Sequence, residues 1–179
     1  MTSTQDQQSD RALDVAGRFA MAFASQDEAT IGTLLAEDAV LHSPITDRFQ
    51  FEGREAVLHV LRAAMVTVKD TSYHPPLASG SRFALPFSAR VRSRPIDAIT
   101  IVDVGSAGLI REIQVFVRPL PGLAAFAAAM VPLVSRPGGR APSTAVALLL
   151  RPLESIIRGG ERLAIPAVRR GVRSATSHR

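Results

Sequence analysis

The chain has 179 residues, 46% of them hydrophobic and 21% charged, a balance that suits one well-buried domain with an appendage. It contains no cysteine, which excludes disulfides and thiolate chemistry. Its net charge of +5 is unevenly placed: residues 1–136 hold 13 basic and 14 acidic side chains, whereas residues 137–179 hold 8 Arg against Glu154 and Glu161. That basic tail has neither an aromatic residue for base stacking nor a nucleic-acid motif, so nucleic acid is not an expected partner. The polar opening MTSTQDQQSD lacks the apolar core of a signal peptide, which makes the expected location cytoplasmic.

Residues 1–9 read as a flexible start, and Asp10 reads as the cap of a first helix running to about Ala24. Ala12, Val15, Ala16, Phe19, Ala22 and Phe23 share one face of it. Asp27 reads as a second N-cap, and Ile31, Leu34 and Leu35 make a short helix ending near Glu37. Ala39–Ile45 is then a brief strand stopped by Pro44, and a third helix begins near Arg54 with Val57, Leu61, Ala64, Met65 and Val68 along one side.

From Asp70 the period changes. The segment to Gly80 and the segment Arg82–Val91 read as strands, with Pro75, Pro76 and Pro86 arguing for bends or edges. Ile96–Leu120 is the clearest strand signal, two Ile- and Val-rich runs around Gly105 and Gly108 that predict a long hairpin. Leu120–Val134 carries no charge but is too short to span a bilayer, which needs about 20 residues, so it is expected to be a buried or pocket-covering helix.

Pro137, Gly138, Gly139 and Pro142 mark the expected end of a domain at residues 10–136. Beyond it, Val146, Leu149, Leu150, Leu153, Ile156 and Ile157 form an apolar stripe interrupted by Pro152. This basic, partly helical extension, 137–179, reads as folded back on the body or against a partner. The alternative is a membrane-surface segment, 143–173, with Arg162, Arg169, Arg170 and Arg173 on its polar side.

Three helices followed by antiparallel strands resemble the nuclear-transport-factor-2-like superfamily, with its SnoaL-like cyclases and ketosteroid isomerases. The likeness rests on LLAEDAVLHSP at 34–44, FEGREAVLHVL at 51–61, ALPF at 84–87 and the hairpin 96–117. The resemblance implies an α+β cone: a strongly curved antiparallel sheet that, with three N-terminal helices, encloses an apolar pocket, and a homodimer through the sheet's outer face.

Strand alternation within that cone turns Ala98, Thr100, Val102, Ile113, Val115 and Val117 inward and Asp97, Ile99, Ile101, Asp103, Glu112 and Gln114 outward. Phe19, Phe23, Leu61, Met65, Leu85 and Phe87 complete the expected pocket wall. Lined up with the ketosteroid isomerases, whose base is an aspartate and whose oxyanion donors are a tyrosine and a protonated aspartic acid, the chain places Ser43, Phe19 and Thr100 at those positions, and Leu61 where a supporting tyrosine stands. The epoxide hydrolases of this fold need an Asp–Arg–Asp set, whose last-strand position is Val115 here. Neither acid–base set is present.

The polar candidates that remain are His42 as a general base, with Ser43 or Thr100 holding an oxyanion. Alternation turns His42 and Ser43 to opposite sides, and an edge histidine bonded to backbone is the plainer reading of His42. His74 reads as a rim residue before two prolines, while His59 and His178 read as solvated. Arg90, Arg92 and Arg94 read as an outer strand face. No His or carboxylate spacing suits a metal, and no cofactor is expected. The sequence therefore predicts a binder of a small hydrophobic metabolite. The first alternative is a cofactor-free polyketide cyclase or isomerase using His42, and the second is a membrane-surface or partner-binding module acting through the tail.

Overall fold

The structure is a computed structural model and describes residues 2–48 and 50–134. Helix α1 (Thr2–Ser25) buries Ala12, Val15, Ala16, Phe19 and Phe23, the stripe that the spacing predicts. Because α1 starts at Thr2, Asp10 lies inside the helix and does not cap it. Gln26, in the left-handed region at φ 60°, ends α1, and its side-chain amide donates to the Met65 carbonyl at 3.1 Å.

Asp27 caps α2 (Glu28–Leu34) as expected, accepting the Thr30 hydroxyl at 2.6 Å and the Thr30 N–H at 3.0 Å. Those two bonds hold the Asp27 carboxyl below the ordinary carboxylate range. Glu28 forms a two-pronged ion pair with Arg62 of the third helix. Helix α2 stops before the expected Glu37, because Leu35 already pairs with Ile110 as the first residue of strand β1 (Leu35–His42). The strand expected at Ala39–Ile45 therefore begins earlier, and it ends ahead of Ser43 and Pro44.

Strand β2 (Phe51–Glu52) pairs with β1 and leads through Gly53 into α3 (Arg54–Thr67). Gly53 sits at φ 88°, a conformation in which a side chain is strained, and its N–H donates to Ala39 O at 2.8 Å. Arg54 then bonds Leu35 O at 3.0 Å and Glu37 at 2.8 Å, fastening the start of α3 to β1. The Gly-Arg pair is thus a corner joint between helix and sheet.

The segment expected as one strand to Gly80 is two, β3 (Val68–Tyr73) and β4 (Leu77–Ser79), split at Pro75 and Pro76, and both pair with β5 (Arg82–Val91). Pro86 lies inside β5, paired with Ile99 of β6 on one side and facing the break between β3 and β4 on the other, a local edge as the prolines predict. Its carbonyl accepts the His74 N–H at 2.9 Å, so its missing N–H faces the gap between β3 and β4. Only the reciprocal bond to His74 is forgone, at a point where no strand continues alongside, which explains why the strand tolerates the proline.

The predicted hairpin is β6 (Arg94–Val104) and β7 (Ile110–Arg118), followed by α4 (Leu120–Val134). The sheet runs β2-β1-β7-β6-β5-β3, with β4 beside β5. It is mixed and not purely antiparallel, because β1 and β7 are parallel. Register shifts interrupt the β1–β7, β3–β5 and β6–β7 ladders, and such irregularities bend a sheet. The result is a curved, unclosed sheet with four helices among the described residues, an α+β fold.

Alternation along β6 and β7 sorts as expected. Ala98, Thr100, Val102 and Ile113 are buried and Val115 and Val117 pack on the core, while Asp97, Ile99, Gln114 and Phe116 are exposed. Arg92 belongs to the β5–β6 turn at φ 56° and not to a strand face shared with Arg90 and Arg94. The domain boundary near 137, the apolar stripe 146–157, the membrane-surface reading and His178 lie outside the described residues.

Candidate functional site

The concave side of the sheet, together with α1, α3 and α4, lines a partly open cavity of about 360 Å³. Phe19 and Phe23 of α1, Leu61, Val60 and Ala64 of α3, and Phe126, Met130, Val131 and Val134 of α4 form its helical side. Leu41, Phe87, Ile96, Thr100, Val115 and Val117 form its strand side. Phe51 and Val68 join them, and the segment Ser43–Thr46 lines the end where β1 leaves the sheet. None of the lining residues is ionisable.

Six of the expected wall residues (Phe19, Phe23, Leu61, Phe87, Val115 and Val117) lie against this space. Met65, Leu85, Ala98, Val102 and Ile113 are buried in the solid core and do not line it. Sequence reasoning named α4 as a cover but assigned none of its side chains. A helix without charge, with Phe126 and Met130 one turn apart, was the available signal.

The three polar candidates are not brought together. Thr100 is the single buried polar residue in the described core, at 6% exposure, and it lines the cavity. Ser43 also lines the cavity, and its hydroxyl accepts the Ile45 N–H at 3.1 Å while keeping its own proton for another acceptor. His42, the preceding residue, points the other way. Its Nε2 lies 2.9 Å from Glu112 on the outer face, and Glu112 is bonded in turn by Arg82 at 3.2 Å. The general base expected at the pocket mouth therefore stands outside the cavity, as the two-residue period of β1 requires once Leu41 faces inward.

Asp97 and Asp103 are on the outer face as expected, the first 3.4 Å from Arg118 and the second 3.7 Å from Arg82. His74 Nε2 is 3.1 Å from the Ser88 hydroxyl, which donates to Asp97 at 3.2 Å. The carboxylate thus holds the serine proton and does not orient the imidazole, so these three residues are not a Ser-His-Asp relay. His59 is half-buried, with Nε2 3.4 Å from the last carbonyl of α4, and is not solvated as the sequence suggested. Tyr73 stacks on Phe87 at 5.1 Å, and burial pushes its phenol above the ordinary range, so it stays protonated beside the cavity. Among the described residues no group of His, Asp and Glu is placed to hold a metal, and no helix is long and apolar enough to cross a membrane.

This architecture matches a known family model, that of the SnoaL-like domain, over residues 16–113. The chain belongs to the SnoaL-like family. Its fold is shared with a steroid delta-isomerase from Pseudomonas aeruginosa, at 31% identity and a TM-score of 0.63 over 67% of this chain and 88% of that one. A protein of cystatin-like fold from Silicibacter pomeroyi is 27% identical, with a TM-score of 0.62 over 65% and 82% of the two chains. An NTF2-like protein from Mesorhizobium loti, 18% identical with a TM-score of 0.57 over 63% and 94%, shares the fold alone. Comparison with curated proteins finds no match. SnoaL-like and NTF2-like membership thus agrees with the resemblance read from the four sequence stretches.

Proposed function

We propose that this SnoaL-like protein binds a small hydrophobic molecule in the cone cavity. The observation that carries the reading is a partly open, roughly 360 Å³ space walled by aliphatic and aromatic side chains, within the size range of small-molecule sites. Kinship with a protein described as a steroid delta-isomerase supports a ligand-holding cavity. Acid–base turnover is less well supported, because no lining side chain titrates and His42 faces away.

The test is saturable fluorescence of N-phenyl-1-naphthylamine, an apolar dye whose signal meets little background because the chain has no tryptophan and one tyrosine. Val115→Phe puts a larger side chain into the cavity from a half-buried strand position. It is expected to weaken the dye about tenfold while circular dichroism stays unchanged. Equal dye affinity in the variant would place the bound dye elsewhere and defeat the reading.

We infer also that a second copy of the chain covers the outer sheet face. The exposed side chains Ile99 and Phe116 are direct cross-strand partners there, flanked by Pro86. Phe116→Lys is expected to move the protein from dimer to monomer in light scattering at micromolar concentration. A wild-type chain that is already monomeric would refute the inference.

A further inference from the structure

We propose that the cavity selects an uncharged ligand of about two rings carrying one hydrogen-bonding group, which is seated on Thr100. The inference rests on the ligand-cavity reading and narrows it. Three observations carry it.

The first is charge. No Lys, Arg or His lines the space to neutralise a carboxylate, and no Asp or Glu lines it to meet an amine. An ion transferred there would lose its hydration with no opposite charge in return, so it would neutralise or stay out. The second is volume. A cavity of about 150 Å³ holds one benzene ring, so about 360 Å³ holds a bicyclic skeleton with a small substituent and falls short of four fused rings.

The third is polarity. Thr100 is more than nine-tenths buried, and it is the single polar residue of the buried core that lines the cavity. An occupant that displaces water from this hydroxyl must replace its hydrogen bond, so the occupant that best fits offers it a hydroxyl, carbonyl or amide. Ser43 and Thr46 line the end where β1 leaves the sheet and are not buried, which leaves Thr100 as the deep polar contact. Size and charge exclusion therefore come from the walls, and orientation comes from one side chain.

The experiment measures the affinities of naphthalene, 2-naphthol, 2-naphthamide, 2-naphthoate and a four-ring steroid enone at neutral pH, by displacement of the dye. Naphthol and naphthamide are expected to bind about tenfold more tightly than naphthalene. Naphthoate, nearly the same shape as the amide, is expected to bind at least about 30-fold more weakly than it. The steroid is expected not to displace the dye. Thr100→Val should abolish the advantage of naphthol over naphthalene, and Thr100→Ser should keep that advantage.

Naphthoate binding as tightly as naphthamide, steroid binding as tightly as naphthol, or an undiminished naphthol preference in Thr100→Val would each overturn the inference while leaving a hydrophobic cavity in place. If neither the dye nor any naphthalene derivative binds, the ligand-cavity reading and the inference fall together.

Discussion

Phe83→Ala is expected to cost about 3–5 kcal/mol of stability, the range for truncating a buried phenylalanine. Phe83 is 1% exposed and stands opposite Val102, which is fully buried, so no neighbour is free to collapse into the space left behind. A loss of that size is a large share of the roughly 5–15 kcal/mol that holds a domain of this kind together. Urea unfolding should show a lower midpoint at an unchanged slope. Phe19→Ala belongs beside it as a control of position. Phe19 is also 1% exposed, but it lines the cavity and sits 6.4 Å from Phe23 in a row of rings continued by Phe87. Its loss is expected to cost a similar amount and also to enlarge the cavity, so that a four-ring steroid begins to displace the dye. Phe83→Ala should leave ligand size preference alone. Equal changes in ligand preference for the two variants would contradict the assignment of wall and core.

The contrast shows what could be read in the letters. A strand's two faces are a local property, so the inward set Ala98, Thr100 and Val102 and the outward set Asp97 and Ile99 followed from alternation alone. The start of α3 near Arg54 was equally legible, whereas the corner joint made there by Gly53 at φ 88° and by the bonds of Arg54 to Leu35 and Glu37 depends on a strand 17–19 residues away. The end of α2 was not legible. Leu34, Leu35 and Ala36 continue a helical spacing as well as they begin a strand, and the pairing of Leu35 with Ile110 that decides the matter is made far along the chain. The parallel β1–β7 contact has the same origin. It makes mixed the sheet that the resemblance implied to be antiparallel.

The site was legible as a side, not as a surface. Leu61 and Met65 lie one turn apart on α3 and are both buried, yet only Leu61 meets the cavity. Which buried residue faces a void depends on how the volumes of α1, α3 and α4 fill the concave sheet, and no periodicity encodes that. For His42 and Ser43 the alternation rule gave the right relation, one in and one out. Which one was in stayed open because no residue of that strand, neither Ala39 nor Leu41, was assigned to the core. With β1 starting at Leu35 and Leu41 turned inward, His42 falls to the outside, where Glu112 meets it.

Gly122→Ala is the sharpest test of how α4 closes the cavity, because two effects of opposite sign compete at one atom. Alanine favours a helix over glycine by about 1 kcal/mol. Against this, a Cβ at Gly122 would lie 2.5 Å from Cγ2 of Ile96 and 3.4 Å from the Pro95 carbonyl. Ile96 is 2% exposed and β-branched, so it cannot swing aside, and the contact must be relieved by moving the helix. Overpacking of that kind costs about 1–3 kcal/mol, and the stiffness of both partners places this case at the upper end. A net loss of about 2 kcal/mol is therefore expected in urea or thermal unfolding. Ile96 also lines the cavity, so the displaced helix should weaken dye binding as well. Adding Ile96→Ala removes the opposing methyl, and the double variant should be less destabilised than the sum of the two single changes. Additive losses would mean that α4 does not rest on Ile96 through the bare backbone of Gly122. A stabilised Gly122→Ala would mean that the helix stands farther from the sheet than the close approach requires.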